Sequence, residues 1–313
     1  MQETRKLNAV AECVLEAQGL HKSYGRVQAL RGVDLQVRRG EIFGFLGPNG
    51  AGKTTTIRCL LDMIRPDSGM LRVLGLDPQA QPVAVQARTG YLPGEMQFYD
   101  NWNAERQLRF FGDMRNGRGD WAYARQLAAR LQLDLRTPIK NLSKGNKQKI
   151  GVVQALMHRP ELLLLDEPTA GLDPLMQQEV LALLREANAA GATVFFSSHI
   201  MSEVESVAGR VAIIRVGEIV EVAETGELTH RALRTLTVRF KRAVDVTALQ
   251  GLPGVQLLSA VPQGSAEPGP THIVLRVMGD MQPLMTVLGG LPVLDLESTR
   301  PTLEEAFLAY YER

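Results

Sequence analysis

A glycine-rich segment constrains the fold of this 313-residue sequence more than any other feature. Residues 47–54 spell "GPNGAGKT", which fits the pattern G-x-x-x-x-G-K-[ST] at every specified position. The segment follows the apolar run "EIFGFLG", a candidate buried strand, and leads into "TIRCLLDMI", where apolar residues recur at helical spacing. The turn-forming "RPDSG" at 65–69 is expected to end that helix. The apolar face consists of Ile57, Leu60, Leu61 and Ile64.

The residue types in this loop suit the binding of phosphate. Gly50 and Gly52 let the backbone bend, so that successive N–H groups converge on phosphate oxygens. A helix that begins near Lys53 adds the positive end of its dipole. Lys53 is expected to reach the terminal phosphates of a nucleotide, and Thr54 to offer its hydroxyl to Mg²⁺. The predicted nucleotide-binding residues of the loop are Gly47, Pro48, Asn49, Gly50, Ala51, Gly52, Lys53, Thr54 and Thr55.

The segment "LLLLDE" at 162–167 supplies two carboxylates at a strand end. A buried strand that ends at Asp166 places a carboxylate beside the phosphate loop, where it can hold Mg²⁺ directly or through water. Glu167 follows it and is expected to orient and polarise the attacking water. "ATVFFSSH" at 192–199 is a further strand, with a helical segment at 174–190 between the two. This alternation predicts a parallel sheet with helices on its faces.

Further motifs follow in an order that resembles the nucleotide-binding subunit of an ABC transporter, over residues 12–226. The family's signature, LSGGQ, has the form "LSKGN" at 142–146. "AGLD" corresponds to the D-loop, "SSH" to the H-loop, and "KSYG" carries an aromatic residue of the adenine-stacking type. The residues that match are Tyr24, Ser143, Lys144, Gly145, Asn146, Asp173 and His199, beside the loop and the two carboxylates.

The resemblance implies roles for these residues, with ATP and Mg²⁺ as cofactors. Lys53, Glu167 and His199 are expected to be catalytic, and Tyr24 to stack on adenine. Ser143 is also a preferred N-cap residue, so a helix should begin there and offer an anion site. In the family, that site faces the γ-phosphate of ATP bound to a partner subunit. The phosphate site would therefore be complete only in a dimer.

Two features of the sequence need separate interpretation. One is the set of lysines in "LSKGNKQK", and the other is the loop before the helical segment, which lacks the family's glutamine. Lys144, Lys147 and Lys149 are expected to lie mostly on a solvated face. In "YLPGEMQFYD", Gly94 stands where the family has a glutamine that senses Mg²⁺ and touches the membrane subunit. Glu95 is a candidate metal ligand that takes over this role. Alternatively Gln97 reaches in, and Glu95 is a plain solvated acid.

The fold predicted by the resemblance is an α/β P-loop NTPase, followed by a small α+β C-terminal domain. The ABC nucleotide-binding domain would comprise a RecA-like core, an antiparallel β subdomain and a helical subdomain at about residues 95–158. The expected boundaries are a tail at 1–11, the ATP-binding domain at 12–228 and an accessory domain at 229–313. Strands and one short helix are predicted in the accessory domain, and "SAVPQGSAEPGP" at 259–270 is predicted to be a loop.

Composition limits the partners and the compartment. The formal net charge of +1 argues against a nucleic-acid partner. Only two cysteines occur, and Cys59 falls in a predicted core helix, so a disulfide is not expected and a reducing cytosol is favoured. No signal peptide is visible, and the longest aliphatic run, at 162–165, is far too short to span a bilayer. Together with these observations, the resemblance implies a place at the cytoplasmic face of the plasma membrane, with attachment through permease subunits.

Three functions compete within this family. The first is the ATPase subunit of an exporter, paired with a second ATP-binding subunit, either identical or related. The second is a soluble ABC ATPase that acts on ribosomes or DNA, which usually carries two nucleotide-binding units or a long coiled coil. The third is a regulatory module with little turnover, which would be expected to lose Glu167 or His199. The signature form and the tail "PTLEEAFLAYY" resemble the drug, antibiotic and polyketide export branch. A drug, an antibiotic or a lipid-like compound is the expected cargo.

The tail is predicted to form a final helix, because Thr302 and Glu305 make a capping box. Phe307, Tyr310 and Tyr311 would share one face of it. This face either packs on its own domain or docks against the C-terminal domain of the partner subunit.

The docking hypothesis predicts that a chain truncated after Gly226 keeps ATP binding but loses coupling or dimer stability. The measurement is ATP hydrolysis and transport by the reconstituted complex, with ATP binding as the control for folding. Wild-type rates in the truncated complex would contradict docking.

Overall fold

A computed structural model describes residues 13–99, 101–115, 120–226, 234–261, 270–277 and 281–299. The chain divides into two compact units, with the boundary between Ala223 and Glu224. The strands are β1 (Cys13–Tyr24), β2 (Val27–Arg38), β3 (Ile42–Leu46), β4 (Ser68–Val73), β5 (Thr89–Leu92), β6 (Leu162–Asp166), β7 (Thr193–Ser198), β8 (Arg210–Arg215), β9 (Glu218–Glu224), β10 (Arg234–Phe240), β11 (Val255–Val261), β12 (His272–Val277) and β13 (Val293–Thr299). The helices are α1 (Lys53–Leu60), α2 (Pro82–Ala87), α3 (Ala104–Asp113), α4 (Trp121–Arg130), α5 (Lys144–Leu156), α6 (Pro174–Ala189), α7 (Met201–Val207), α8 (Thr247–Gln250) and α9 (Gln282–Gly289).

A six-stranded sheet in the order β5-β6-β7-β3-β8-β9 forms the centre of the first unit. Its strands β5, β6, β7, β3 and β8 run parallel. Every residue of β3, β6 and β7 is buried, as expected for apolar strands that helices cover on both faces. This result confirms the strands predicted from "EIFGFLG", "ELLLLDEP" and "ATVFFSSH". The carboxyl ends of β3, β6 and β7 meet at one edge of the sheet, where ligands bind in open α/β folds.

A three-stranded antiparallel sheet in the order β2-β1-β4 shares a core with the central sheet. Leu15 and Val33 from the antiparallel sheet belong to the same buried cluster as Phe43 and Phe195 from the central sheet. The rings of Phe43 and Phe195 are stacked with their centroids 5.9 Å apart. Helix α1 completes this cluster with Ile57, and the loop before α1 is therefore anchored on a rigid core.

The helices α3, α4 and α5 occupy the segment where a helical subdomain was predicted. Each begins with a residue whose side chain accepts a hydrogen bond from a backbone N–H three residues on: Asn103, Asp120 and Ser143. Among the helices that the structure describes, none has both the length and the apolar character needed to cross a bilayer. Both cysteines are free, and burial raises the pKa of the Cys59 thiol to about 11.

The second unit has the element order β10-α8-β11-β12-α9-β13 and a fully antiparallel sheet in the order β11-β12-β10-β13. This βαββαβ arrangement is ferredoxin-like. Leu236 lies opposite Leu275, and Val238 lies opposite Ile273. These four side chains are fully buried and form the centre of a second, separate apolar cluster.

The structure corrects two predicted boundaries. Helix α1 ends at Leu60 rather than at "RPDSG", because Asp62 adopts a left-handed φ of 51° and the Met63 N–H bonds back to the Arg58 carbonyl. Residues 259–261, predicted as loop, belong to β11, whose backbone pairs with β12. Pairing with the next strand, β12, overrode the local turn composition there. The tail at 1–11 and the final helix with Phe307, Tyr310 and Tyr311 lie outside the described residues.

The shared core gives a stability prediction. Phe195→Ala should lower the free energy of unfolding of the first unit by about 3–5 kcal/mol, because a fully buried ring is replaced by a cavity. Denaturant unfolding of the full chain measures this loss, with Val83→Ala, at a position 79% exposed, as the control. A loss no greater than that of the control would show that this ring does not hold the core together.

Candidate functional site

The glycine-rich loop joins β3 to α1 at the carboxyl edge of the central sheet. Gly50 and Gly52 have left-handed φ values of 81° and 114°, which glycine adopts without strain. A Cβ at Gly52 would lie 2.8 Å from the Ala29 carbonyl oxygen, so this position also has no room for a side chain. A pocket opens above the loop. Its lining consists of Ala29, Pro48, Asn49, Gly50, Gly52, Lys53, Thr54, Thr55 and Glu167.

The ammonium of Lys53 lies folded across the loop. Only 5% of this residue is exposed. Its Nζ donates to the Gly47 carbonyl at 2.6 Å and to the Pro48 carbonyl at 3.2 Å, and it lies 3.5 Å from Glu167 Oε1. The loop backbone thus holds a positive charge at the floor of the pocket. Terminal phosphates of a bound nucleotide are the anions that such a charge suits.

The Asp166 carboxylate is buried and accepts hydrogen bonds from two hydroxyls. Thr54 Oγ1 donates to Oδ2 at 2.5 Å, and Ser197 Oγ donates to Oδ1 at 2.5 Å. A hydroxyl and a carboxylate side by side are hard oxygen ligands, and these two residues fit Mg²⁺. Within the described ranges, no cluster of three or more His, Cys, Asp or Glu is arranged to hold a metal.

Glu167 has an unusual backbone and a side chain that faces the pocket. Its φ of 50° is left-handed, a conformation that costs a non-glycine residue about 1–3 kcal/mol. Its N–H points to both the carbonyl oxygen and the hydroxyl of Ser197, at 3.2 and 3.1 Å. Its carbonyl accepts a bond from Gln148 Nε2 at 3.0 Å. His199 Nδ1 lies 3.2 Å from Glu167 Oε1, the same oxygen that faces Lys53.

Helix α5 begins at the signature segment, as predicted. Ser143 is its N-cap, and the serine Oγ accepts the Asn146 N–H at 3.2 Å. Ser143 and Lys144 are exposed, and the four signature residues do not line the described pocket over the glycine-rich loop. A Cβ at Gly145 would lie 2.6 Å from the Gly171 carbonyl oxygen, so α5 packs directly on the D-loop segment.

The expectation of a solvated lysine face is wrong for Lys149. It is 8% exposed, Lys147 is half-buried and only Lys144 is exposed. The reason is the packing of α5 against β5, α3 and α4, which covers most sides of the helix. Long lysine stems can be buried in this way while the ammonium extends towards water.

Two predicted residues lie at element ends. Tyr24 ends β1 and is 48% exposed, with Lys22 Nζ at 5.8 Å from its ring centroid. A hydrogen bond from Lys22 to Asp67 raises the pKa of this lysine. Asp173 is the N-cap of α6, where its Oδ1 accepts the Met176 N–H at 3.1 Å. In this structure Asp173 is engaged in capping.

Gly94 lies directly against Asp166. A Cβ at Gly94 would be 3.0 Å from Asp166 Oδ2, closer than side chains normally approach. Burial, and next the charge of Asp166, raise the pKa of nearby Tyr91. Glu95 and Gln97 are both exposed, and no hydrogen bond or ion pair is seen for either with the described residues. The assignment of Glu95 as a metal ligand remains a prediction.

Ser197 and Gln148 were not predicted from the sequence as site residues. Ser197 bonds to Asp166 and Glu167, and Gln148 bonds to Glu167 and Pro168. Both lie inside motifs that were recognised, "SSH" and "NKQK". The signal was the position of Ser197 next to the strand end, two residues before His199. Asp166 pairs with Ser197 across β6 and β7, and this tertiary contact cannot be predicted from local sequence patterns.

Comparisons with known proteins agree with this geometry. The family model described as "ABC transporter" matches residues 30–170. The linearmycin resistance ATP-binding protein LnrL of Bacillus subtilis (strain 168) is 34% identical over 222 residues, covering 70% of this chain and 71% of that protein. The daunorubicin/doxorubicin resistance ATP-binding protein DrrA of Streptomyces peucetius is 31% identical, covering 97% of this chain and 94% of that protein. A solved ATP-binding subunit of an ABC transporter is 30% identical with a TM-score of 0.62, covering 69% of this chain and 91% of that chain.

The chain belongs to the ATP-binding proteins of ABC transporters. It is an ATP-binding subunit with ATPase activity, and within the family it is similar to the drug and antibiotic resistance branch. The predicted family and fold class are thereby confirmed. The hypothesis of a ribosome- or DNA-acting ATPase, or of a regulatory module, is not favoured.

The position of Lys53 yields a prediction for catalysis. Lys53→Ala should lower ATP turnover by at least about 10²–10³-fold, because it removes the preorganised charge opposite the β- and γ-phosphates. Phosphate release by the purified protein measures this, with Lys140→Ala, an exposed lysine outside the pocket, as the matched control. Turnover near the wild-type value would refute the placement of the nucleotide at this loop.

Proposed function

We propose that this chain hydrolyses ATP to drive the export of a drug- or antibiotic-like compound through separate membrane permease subunits. The observation that carries the proposal is the set of contacts that joins Lys53, Thr54, Asp166, Glu167 and His199 at one edge of the central sheet. The cargo class is inferred from relatives named for resistance to linearmycin and to daunorubicin and doxorubicin. The second of these covers nearly the whole chain.

Each residue in this set has a separate task. Lys53 opposes the charge of the terminal phosphates, and the backbone N–H groups of the loop bind their oxygens. Thr54 and Asp166 would hold Mg²⁺, which neutralises charge that develops on the phosphates. Glu167 orients and polarises the attacking water, and His199, bonded to its carboxylate, contacts the γ-phosphate. Tyr24 presents an exposed ring on which adenine stacks.

The other half of the phosphate site comes from a second subunit. Ser143 lies exposed at the start of α5 and outside the pocket over the glycine-rich loop. A helix start with a serine hydroxyl and the Gly145 N–H suits an anion. The signature of one subunit therefore faces the γ-phosphate that the loop of the other subunit holds. The partner is a second copy of this chain or a related chain, and ATP joins the two.

The place of action follows from the partner. The permease subunits span the membrane, and the ATP-binding subunits attach to them at the cytoplasmic face. The near-neutral charge of +1 supports a protein partner rather than a nucleic acid.

The trans arrangement predicts the behaviour of Glu167→Gln. This variant should keep ATP binding but lose hydrolysis, because the amide cannot accept a proton from water, and a closed dimer should accumulate. Size-exclusion chromatography with light scattering, with and without ATP and Mg²⁺, measures the dimer.

Two controls make this test specific. The double variant Glu167→Gln with Ser143→Ala should bind ATP yet form less dimer, since the trans contact is weakened. The double variant Glu167→Gln with Lys140→Ala should dimerise like Glu167→Gln alone. Absence of an ATP-dependent dimer in Glu167→Gln would count against the proposal.

A further inference from the structure

We propose that Ser197 and Gln148 are positioning residues that hold the two carboxylate-bearing residues from opposite sides. Ser197 holds both the Asp166 carboxylate and the Glu167 N–H, whereas Gln148 holds the backbone carbonyls of Glu167 and Pro168. The inference rests on the proposed function for the roles of Asp166 and Glu167. It adds two positioning residues to the proposed site, and each should have a separate and measurable effect.

The hydroxyl of Ser197 both donates and accepts a hydrogen bond within the site. Ser197 is fully buried at the end of β7, directly opposite Asp166 in the parallel pairing. Its O–H donates to Asp166 Oδ1, and its oxygen accepts the Glu167 N–H at 3.1 Å. With Oδ1 held there, Oδ2 points to the Thr54 hydroxyl. The serine therefore fixes the orientation of the carboxylate whose other oxygen faces the phosphate loop.

Glu167 needs external support for its backbone. Its left-handed φ of 50° persists only where surrounding groups enforce it. The described bonds to its backbone are those from its N–H to Ser197 and those that its carbonyl accepts. The Ala170 N–H also donates to this carbonyl, at 3.1 Å. Loss of the bond to Ser197 or of the bond from Gln148 therefore removes part of the support, and the peptide can shift towards a commoner conformation. The carboxylate would then move away from Lys53 and His199, which both lie within 3.5 Å of Oε1.

Gln148 supplies the second restraint from the helix that carries the signature. It is 8% exposed, and its Nε2 donates to the Glu167 carbonyl at 3.0 Å and to the Pro168 carbonyl at 3.2 Å. Ser143 caps the same helix five residues earlier. Gln148 thus connects helix α5, whose start carries the signature that faces the partner's nucleotide, with Glu167, which acts on this subunit's own nucleotide.

The two positioning residues should be separable by experiment. Ser197→Ala removes support from the Mg²⁺-facing carboxylate, so it should raise the Mg²⁺ concentration needed for tight ATP binding. Gln148→Met keeps the shape of the side chain but removes the donor, so it should lower kcat without changing the Mg²⁺ requirement. Partners of metal-site residues typically contribute about 10–100-fold to affinity or activity. We expect effects in that range for both variants.

Matched controls lie on the same elements. Thr193→Val removes a buried hydroxyl from β7 that accepts the Gly40 N–H, away from the carboxylates. Gln154→Met removes an amide from α5 whose buried Oε1 has no hydrogen-bond partner among the described residues. Ser197→Cys, which keeps the volume and weakens the donor, serves if Ser197→Ala folds poorly. It should shift the Mg²⁺ requirement in the same direction by a smaller amount.

The experiment uses the full chain. The melting temperature with ATP is followed as Mg²⁺ is titrated, and kcat and KM for ATP are measured at one protein concentration for all variants. Metal-free ATP binding should be unchanged in every variant. A wild-type Mg²⁺ midpoint in both Ser197 variants, or a wild-type kcat in Gln148→Met, overturns the inference.

Failure of the inference is distinguishable from failure of the proposed function. Lys53→Ala and Glu167→Gln are measured in parallel. If both lose hydrolysis while Ser197→Ala and Gln148→Met match the wild type, only the inference is wrong. If Lys53→Ala or Glu167→Gln hydrolyses ATP normally, the proposed function itself fails.

Discussion

The buried carboxylate of Asp166 is the group around which the site is organised. A carboxylate that is 1% exposed requires donors, because an unpaired buried charge costs several kcal/mol. Thr54 and Ser197 supply them, and each comes from an element next to β6 in space. The strand order β6-β7-β3 therefore has a chemical consequence, since it brings the phosphate loop and the end of β7 to the same carboxylate.

The segment after Asp166 connects the nucleotide pocket with the start of helix α5. Glu167 serves the pocket above the glycine-rich loop, whereas Gly171, four residues on, packs under Gly145 at the start of α5. The contacts are tight, because a Cβ on Gly145 would collide with the Gly171 carbonyl. A shift of α5 on contact with a partner's nucleotide would therefore displace backbone that Glu167 shares. In the proposed function, this connection would make hydrolysis depend on contact between the subunits.

The sequence predicted those parts of the molecule whose causes are local. The strand–turn–helix around Lys53, the buried strands ending at Asp166 and near His199, and the N-cap at Ser143 all followed from spacing and residue type. Features that depend on contact between separate elements were not predictable in this way. The edge strand β11 lies beside a Pro/Gly-rich run and forms because β12 pairs with it. The hydroxyl of Ser197 matters only because β7 lies beside β6.

In the proposed function, one subunit's signature completes the phosphate site of another. A structure of the Glu167→Gln chain with ATP and Mg²⁺ tests this arrangement. We expect a dimer in which Ser143 Oγ lies about 3 Å from the γ-phosphate of a nucleotide held by the partner subunit's loop. A nucleotide bound at the loop of Lys53 with Ser143 facing only solvent in every copy would contradict this arrangement.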